Sequence, residues 1–296
     1  MSFKNQSYSG NDNVKLARRS LVIAALVISF SGLLIRHIES ADQWTIIYYR
    51  ALAFSFAVFL CISFQHKSKV MQKFKDVGRK GIAAGVILGL TNITYIVSIT
   101  NTTVANTLFT VSLIPFITAT LAFLIIKEKI TKGTFLAMLM AFFGTLIMFG
   151  GSMIGGQAFG TVMALITACL FSMFTILLRL NREIEMLPSL VVGGLISLLI
   201  AISVIGLKPE ISLNDMLLCF ILGGILSGFA NIVFTLATRY IPAAEATFYM
   251  FIEFALGPFW VWLLVNETPS NATLFGGIII FGALLLKAKT EKNEKM

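Results

Sequence analysis

The chain has 296 residues, 57% of them apolar and 12% charged, with a mean hydropathy of +0.89; a soluble domain carries roughly 25% charged residues to cover its surface. This composition excludes a soluble enzyme or nucleic-acid-binding domain, since ten membrane crossings of about 20 residues each would leave only short loops and tails. The net charge of +9 therefore has to be read by where it lies.

Apolar runs follow one another at about 20–38, 43–64, 81–100, 103–126, 133–150, 158–180, 188–206, 215–236, 243–265 and 272–288. Each is close to the length of a membrane-spanning helix, which predicts an all-α membrane protein with ten transmembrane helices. The gaps near 100 and 240 are short, so nine or eleven spans stay open as alternatives. Arg18 and Arg19 before an apolar run have the look of a signal peptide, but the run is long and no A-x-A cleavage site follows, so it is read as the first helix. Cys61, Cys169 and Cys219 fall inside spans without metal or disulfide spacing, and His37 and His66 sit at span ends.

Of the 23 Lys and Arg, 20 lie in the N-terminal segment, in the connections at 65–80, 127–132, 179–182 and 239, and at the C-terminal end. Those are alternate connections. The opposite face has Arg36 and Lys208, and Arg50 lies within a span. The positive-inside rule then places both termini in the cytoplasm and favours an even number of spans.

A shift of 139 residues lays Gly85 and Gly89 on Gly224 and Gly228, Asn92 on Asn231, Ala105 on Ala244, Phe109 on Phe248 and Glu128 on Glu267. The unit so repeated contains five helices. An odd unit must enter the membrane from the opposite side in its second copy, so the chain is expected to form two inverted five-helix repeats around a central cavity near mid-membrane. The expected organisation is a tail at 1–19, repeats at 20–150 and 158–288, and a tail at 289–296.

Charges inside spans are the sharpest chemical signal, because each costs roughly 2.5–3.5 kcal/mol at the bilayer centre unless it faces a cavity or a partner. Arg50 lies about 10 Å in from one face and Glu253 about 15 Å in from the other, so the two reach similar depth. A guanidinium suits a substrate carboxylate, and a carboxylate suits an ammonium group or a coupling proton; the alternative is that the two charges only stabilise the bundle. Tyr249 shares the helical face of Glu253, and Asn106 is its repeat-related polar neighbour through Glu245. Tyr95, Asn92 and Asn231 are further candidates for the pocket, the two Asn residues serving equally well as interhelical hydrogen bonders. Trp44 and Tyr48 suit either a substrate wall or an interfacial belt. Gly85, Gly89, Gly224 and Gly228 form small-residue stripes for close helix packing or for rocking, and Pro115 and Pro258 each interrupt a helical ladder and so are candidate hinges. No P-loop, H-E-x-x-H helix or nucleophile elbow occurs, so neither ATP hydrolysis, a cofactor nor intramembrane catalysis is expected.

The stretches "WTIIYYRALAF" (44–54), "YIVSITNTTVANTLFTVSLIPFITATLAFLIIKEKIT" (95–131) and "ATRYIPAAEATFYMFIEFALGPFWVWLLVNETPSNATLFGGIIIFGALLL" (237–286) resemble the EamA family of the drug/metabolite transporter superfamily, in two copies over nearly the whole chain. The resemblance matches Arg50, Pro115, Glu128 and Glu267 to recurrent family positions; Pro258 falls later than the family's second-repeat proline. It implies a multi-pass protein of the bacterial inner membrane that moves amino acids or other small metabolites, most often outward, with Glu128 and Glu267 as capping or gate-stabilising residues. The expected partners are a small-molecule substrate, a proton as possible coupling ion and the lipid bilayer, in a monomer or homodimer. Alternatives are organic cations or nucleotide-like compounds as cargo and, from another class, a membrane sensor or scaffold that moves nothing.

Overall fold

A computed structural model describes residues 10–102, 104–149, 158–207, 209–265 and 271–293, and they are helical almost throughout, with no strand among them. The helices are α1 (Gly10–Ile28), α2 (Ser31–Arg36), α3 (Gln43–His66), α4 (Val70–Asn101), α5 (Val104–Val111), α6 (Ile114–Leu121), α7 (Lys132–Phe149), α8 (Ala158–Leu180), α9 (Leu187–Ile205), α10 (Leu213–Phe220), α11 (Gly228–Ala237), α12 (Ala243–Phe248), α13 (Phe251–Val265) and α14 (Asn271–Asn293). Wider π turns continue α6 through Ala122–Ile126 and join α10 to α11 through Ile221–Ser227.

Six stretches are long and apolar enough to cross a membrane, and two further apolar helices, Lys132–Ile147 and Leu274–Lys287, are shorter. They differ from ten separate spans in a physical way. The stretch Gln43–Asn101 is continuous in helix over 59 residues because a single 3-10 turn, Lys67–Lys69, entered at a positive φ of 46° on Lys67, joins α3 to α4. A second break inside α4, at Gly78 with φ 49°, uses the one residue type that adopts this region without a Cβ clash. Other expected spans are split. α1 ends at Ile28 ahead of α2, α5 parts from α6 at Ser112–Leu113, and α12 parts from α13 at Tyr249–Met250. The first helix begins at Gly10 rather than near residue 20.

Pro115 opens α6 at its first turn, where its missing N–H costs nothing, and the chain before it tightens to i→i−3 bonds such as Leu113 N to Thr110 O at 3.2 Å. Pro258 lies inside α13, and its side chain is outside the described residues; the corresponding break, at Tyr249–Met250, comes well before it. Glu267 and Lys208 also lie outside the described residues.

Repeat-related helices pack on each other: α3 against α9, and α7 against α14. Two further pairs of contacts are swapped between the repeats, with α4 on α8 mirrored by α11 on α1, and α4 on α9 mirrored by the Ile221–Ser227 turn on α3. This is the pattern of a pseudo-twofold axis between the repeats. Small residues make the close approaches. A Cβ on Gly89 would lie 2.8 Å from the Gly193 carbonyl, one on Gly85 would lie 2.8 Å from that of Ser189, and Gly223 abuts the Arg50 carbonyl. Gly224 and Gly228 sit at ordinary contact from Ala53 and Ala57.

Candidate functional site

Between the repeats lies a cavity with about 150 Å³ open to the centres of water molecules, room on the order of ten waters or for one small solute. Its walls come from α1 to α6, α8, the Ile221–Ser227 turn and α11 to α13; α7 and α14 take no part. Six of the sequence candidates line it: Arg50, Asn92, Tyr95, Asn231, Tyr249 and Glu253.

Arg50 reaches in from α3 and donates from Nη2 to Ser227 Oγ at 3.1 Å, while its Nε is buried with no partner among the described residues. Glu253 faces it from α13, held by Ser31 Oγ, which donates to Oε1 at 3.2 Å. The two charges form no ion pair within 4 Å, yet both face one space, which Tyr95 also lines. An ionic bridge that merely stitches two helices is therefore not what the side chains make. A second, water-sized space of about 10 Å³ adjoins Arg50, Asn92 and Ser197.

Three candidates lie elsewhere. Asn106 donates to Thr102 Oγ1 at 2.9 Å and Thr161 Oγ1 at 2.5 Å, outside the cavity. Trp44 and Tyr48 pack in a separate apolar cluster with Ile47, Ile96 and Cys219, Tyr48 set edge-on to Tyr49. The structure adds residues that no sequence signal singled out: Ser31 and Ser227 as partners of the charges, and Thr167, Phe171 and Phe234 as wall. Phe171 and Phe234 have ring centroids 5.2 Å apart. Helix-face periodicity could have marked Ser227, four residues before Asn231.

The helices next to the connections rich in Lys and Arg are packed tightly. Every residue of α12 is buried, and α12 packs against α6, whereas the repeat-related pair α5 and α13 packs far less among the described residues. Glu128 bridges the end of α8 and the start of α12: its Oε1 accepts from Arg179 Nε at 2.5 Å and its Oε2 from the Ala243 backbone N–H at 3.1 Å. Arg179 Nη1 also donates to the carbonyls of Thr238 and Arg239, at 3.0 and 2.9 Å. Beside it Glu245 accepts from Arg18 Nε at 2.6 Å and lies 3.5 Å from Lys287 Nζ. Toward the opposite face, a Cβ on Gly32 or Gly257 would meet nothing within 4 Å.

No group of three or more His, Cys, Asp or Glu able to hold a metal occurs among the described residues.

No curated protein matches this sequence. Solved structures do share the fold. One, a crystal structure of a protein without further description, superposes with a TM-score of 0.75 over 92% of this chain and 97% of its own, at 14% identity; a likeness at that identity is one of fold. The EamA-like transporter family matches residues 20–150 and 158–288, twice over and across most of the sequence, and with the two-repeat packing and the apolar helices around a central cavity it follows that this chain is a multi-pass membrane protein belonging to the EamA-like transporter family.

Proposed function

We propose that the protein is a secondary transporter that carries an amino acid or a similar zwitterion across the membrane by alternating access, in most circumstances outward. The observation that carries this reading is that Arg50 and Glu253 face one cavity from different repeats without pairing, and Arg50 Nε has no partner. A planar cation and a carboxylate held apart complement a solute with a carboxylate and an ammonium, and binding would supply the missing hydrogen bonds. Arg50 takes the carboxylate, Glu253 takes the ammonium or exchanges a coupling proton, and Tyr95, Asn92, Asn231 and Tyr249 orient the solute.

In this reading ten crossings form two inverted repeats. The breaks at Ser112–Leu113 and Tyr249–Met250 divide two of the crossings, and the 59-residue stretch Gln43–Asn101, about 88 Å of helix, makes two more. Both termini lie in the cytoplasm of a bacterium, on the face where Lys and Arg concentrate. The tight packing of α6 on α12 beside the basic connections, against the looser pair α5 and α13, then fits a state open to the outside.

The test is flux in proteoliposomes. A thermal-shift screen of the purified protein against amino acids, polyamines, nucleosides and organic cations identifies the cargo, since a ligand of the native state raises apparent stability. With that cargo, Arg50→Gln and Glu253→Gln each lower flux at least tenfold at equal protein levels. Unchanged flux in either variant removes that residue from the site. Stimulation by an imposed pH gradient that is lost in Glu253→Gln supports proton coupling, and indifference to the gradient marks a facilitator.

A further inference from the structure

The chain stays helical from the end of α3 into α4 through the turn Lys67–Lys69. The helical turn segment Val70–Val77 is set off on one side by Lys67, at φ 46°, and on the other by Gly78, at φ 49°, so it leaves the axis of both neighbouring helices. Its inner side is anchored: Val77 is buried, Val70 and Phe74 pack on the main core, and Phe74 lies 6.5 Å from Phe59, ring to ring. Lys75 on this segment and Lys67, Lys69, Arg79 and Lys80 flanking it are all exposed and without an ion pair among the described residues. The only acid in the stretch, Asp76, accepts from Gln72 at 2.8 Å. Two large apolar side chains stand out beside the cations, Phe64 at 74% and Met71 at 69% exposure.

We infer that residues 64–80 form a docking surface for acidic phospholipids of the bilayer in which the protein sits. Topology alone needs positive charge on this face but no fixed shape. Here five exposed cations lie on and beside a braced segment next to membrane-spanning helices, with Phe64 and Met71 placed to enter the acyl boundary while the ammonium and guanidinium groups meet headgroup phosphates, each cation adding to the attraction of an anionic surface. The sixth cation faces inward. Lys73 Nζ lies 3.1 Å from Glu185 Oε2, in the connection between α8 and α9, so the lipid surface of the first repeat is tied to the second.

Native mass spectrometry of the full-length protein tests this, titrating in phosphatidylglycerol and phosphatidylcholine of identical chains. The wild type is expected to retain phosphatidylglycerol at least threefold better, with the preference falling as ionic strength rises and unaffected by inorganic phosphate. Neutralising Lys67, Lys69, Lys75 and Arg79 to Gln abolishes the preference, Lys69→Gln and Lys75→Gln each reduce it, and replacing the three lysines by Arg preserves it, as does Lys289→Gln elsewhere on the same face. Equal retention of the two lipids by the wild type, or undiminished preference in the single and quadruple Gln variants, overturns the inference.

Discussion

Arg50 keeps its guanidinium half engaged: Nη2 is held by Ser227 while Nε waits unpartnered beside a cavity. A planar fork positioned in this way is not replaced by a point charge. Arg50→Lys is therefore expected to lower flux by about as much as Arg50→Gln, whereas Ser227→Ala, which leaves the charge but frees its aim, raises KM several-fold with a smaller change in kcat; a Lys variant with wild-type flux refutes the argument. Asn106 is expected to behave oppositely. Bonded to Thr102 and Thr161 away from the cavity, it is a packing residue, so Asn106→Ala costs about 1 kcal/mol of stability, read as a lower Tm, and leaves KM unchanged. These contrasts show what was legible in the sequence. A charge within an oily span is conspicuous because it is costly, so Arg50 and Glu253 stand out, and the polar residues one turn away stand out with them. Ser31, Ser227, Phe171 and Phe234 do not, since hydroxyls can bond to their own helix and Phe is the commonest aromatic of the chain, with 26 copies. Their roles depend on which face packing turns inward. The repeat relation of Asn106 to Glu245 holds in sequence, and both positions are satisfied outside the cavity, Glu245 by Arg18 and Lys287.

At the scale of elements the two broken spans do different things. The halves on the basic face, α6 and α12, are packed together and clasped by Glu128, which meets both the end of α8 through Arg179 and the first turn of α12 through the Ala243 N–H. The alternating access proposed above requires that clasp to open. In a cysteine-free background with one cysteine placed at Asn231, Glu128→Gln is expected to speed labelling by a charged thiol reagent from the basic face several-fold and to slow it from the other; identical rates exclude Glu128 from gating. The small-residue stripes give a prediction of stability. Alanine is favoured over glycine in a helix by about 1 kcal/mol, and at Gly282, where a Cβ meets nothing within 4 Å, Gly282→Ala should hold or raise Tm. At Gly89 the same methyl would sit 2.8 Å from the Gly193 carbonyl, a backbone atom that cannot move aside, so Gly89→Ala should lower Tm by several degrees. Composition made these stripes visible, but not their partners: α4 meets α9, and the Ile221–Ser227 turn meets α3. The breaks were less legible still. Pro115 marks one, but the second falls at Tyr249–Met250, where no residue is intrinsically helix-breaking and tertiary contacts decide.

Over the whole molecule, the repeats are joined by apolar helix pairs within the bundle and by ionic ties on the basic face. Glu185 makes one such tie, from the connection between α8 and α9 to His66 Nε2 at 2.8 Å and Lys73 Nζ at 3.1 Å, both in the first repeat. Burial by itself would push the Glu185 carboxyl up, but the hydrogen bonds and charges of His66 and Lys73 outweigh it and hold the group below the usual glutamate range. A carboxylate whose folded pKa is depressed binds protons less readily in the native state than in the unfolded one. Its contribution to stability is therefore fully present above the unfolded value of about 4.3 and is lost as the pH falls through the lower folded value. Glu185→Gln should accordingly lower the apparent Tm in detergent at pH 7 by a few degrees, and the gap between variant and wild type should persist down to about pH 5 and close only at more acidic pH. Lys73→Gln should reproduce part of the loss at pH 7, and combining it with Glu185→Gln should add little, because both remove the same tie. Additive losses would mean that Glu185 and Lys73 stabilise the protein separately, and that their ion pair is not a tie between the two repeats.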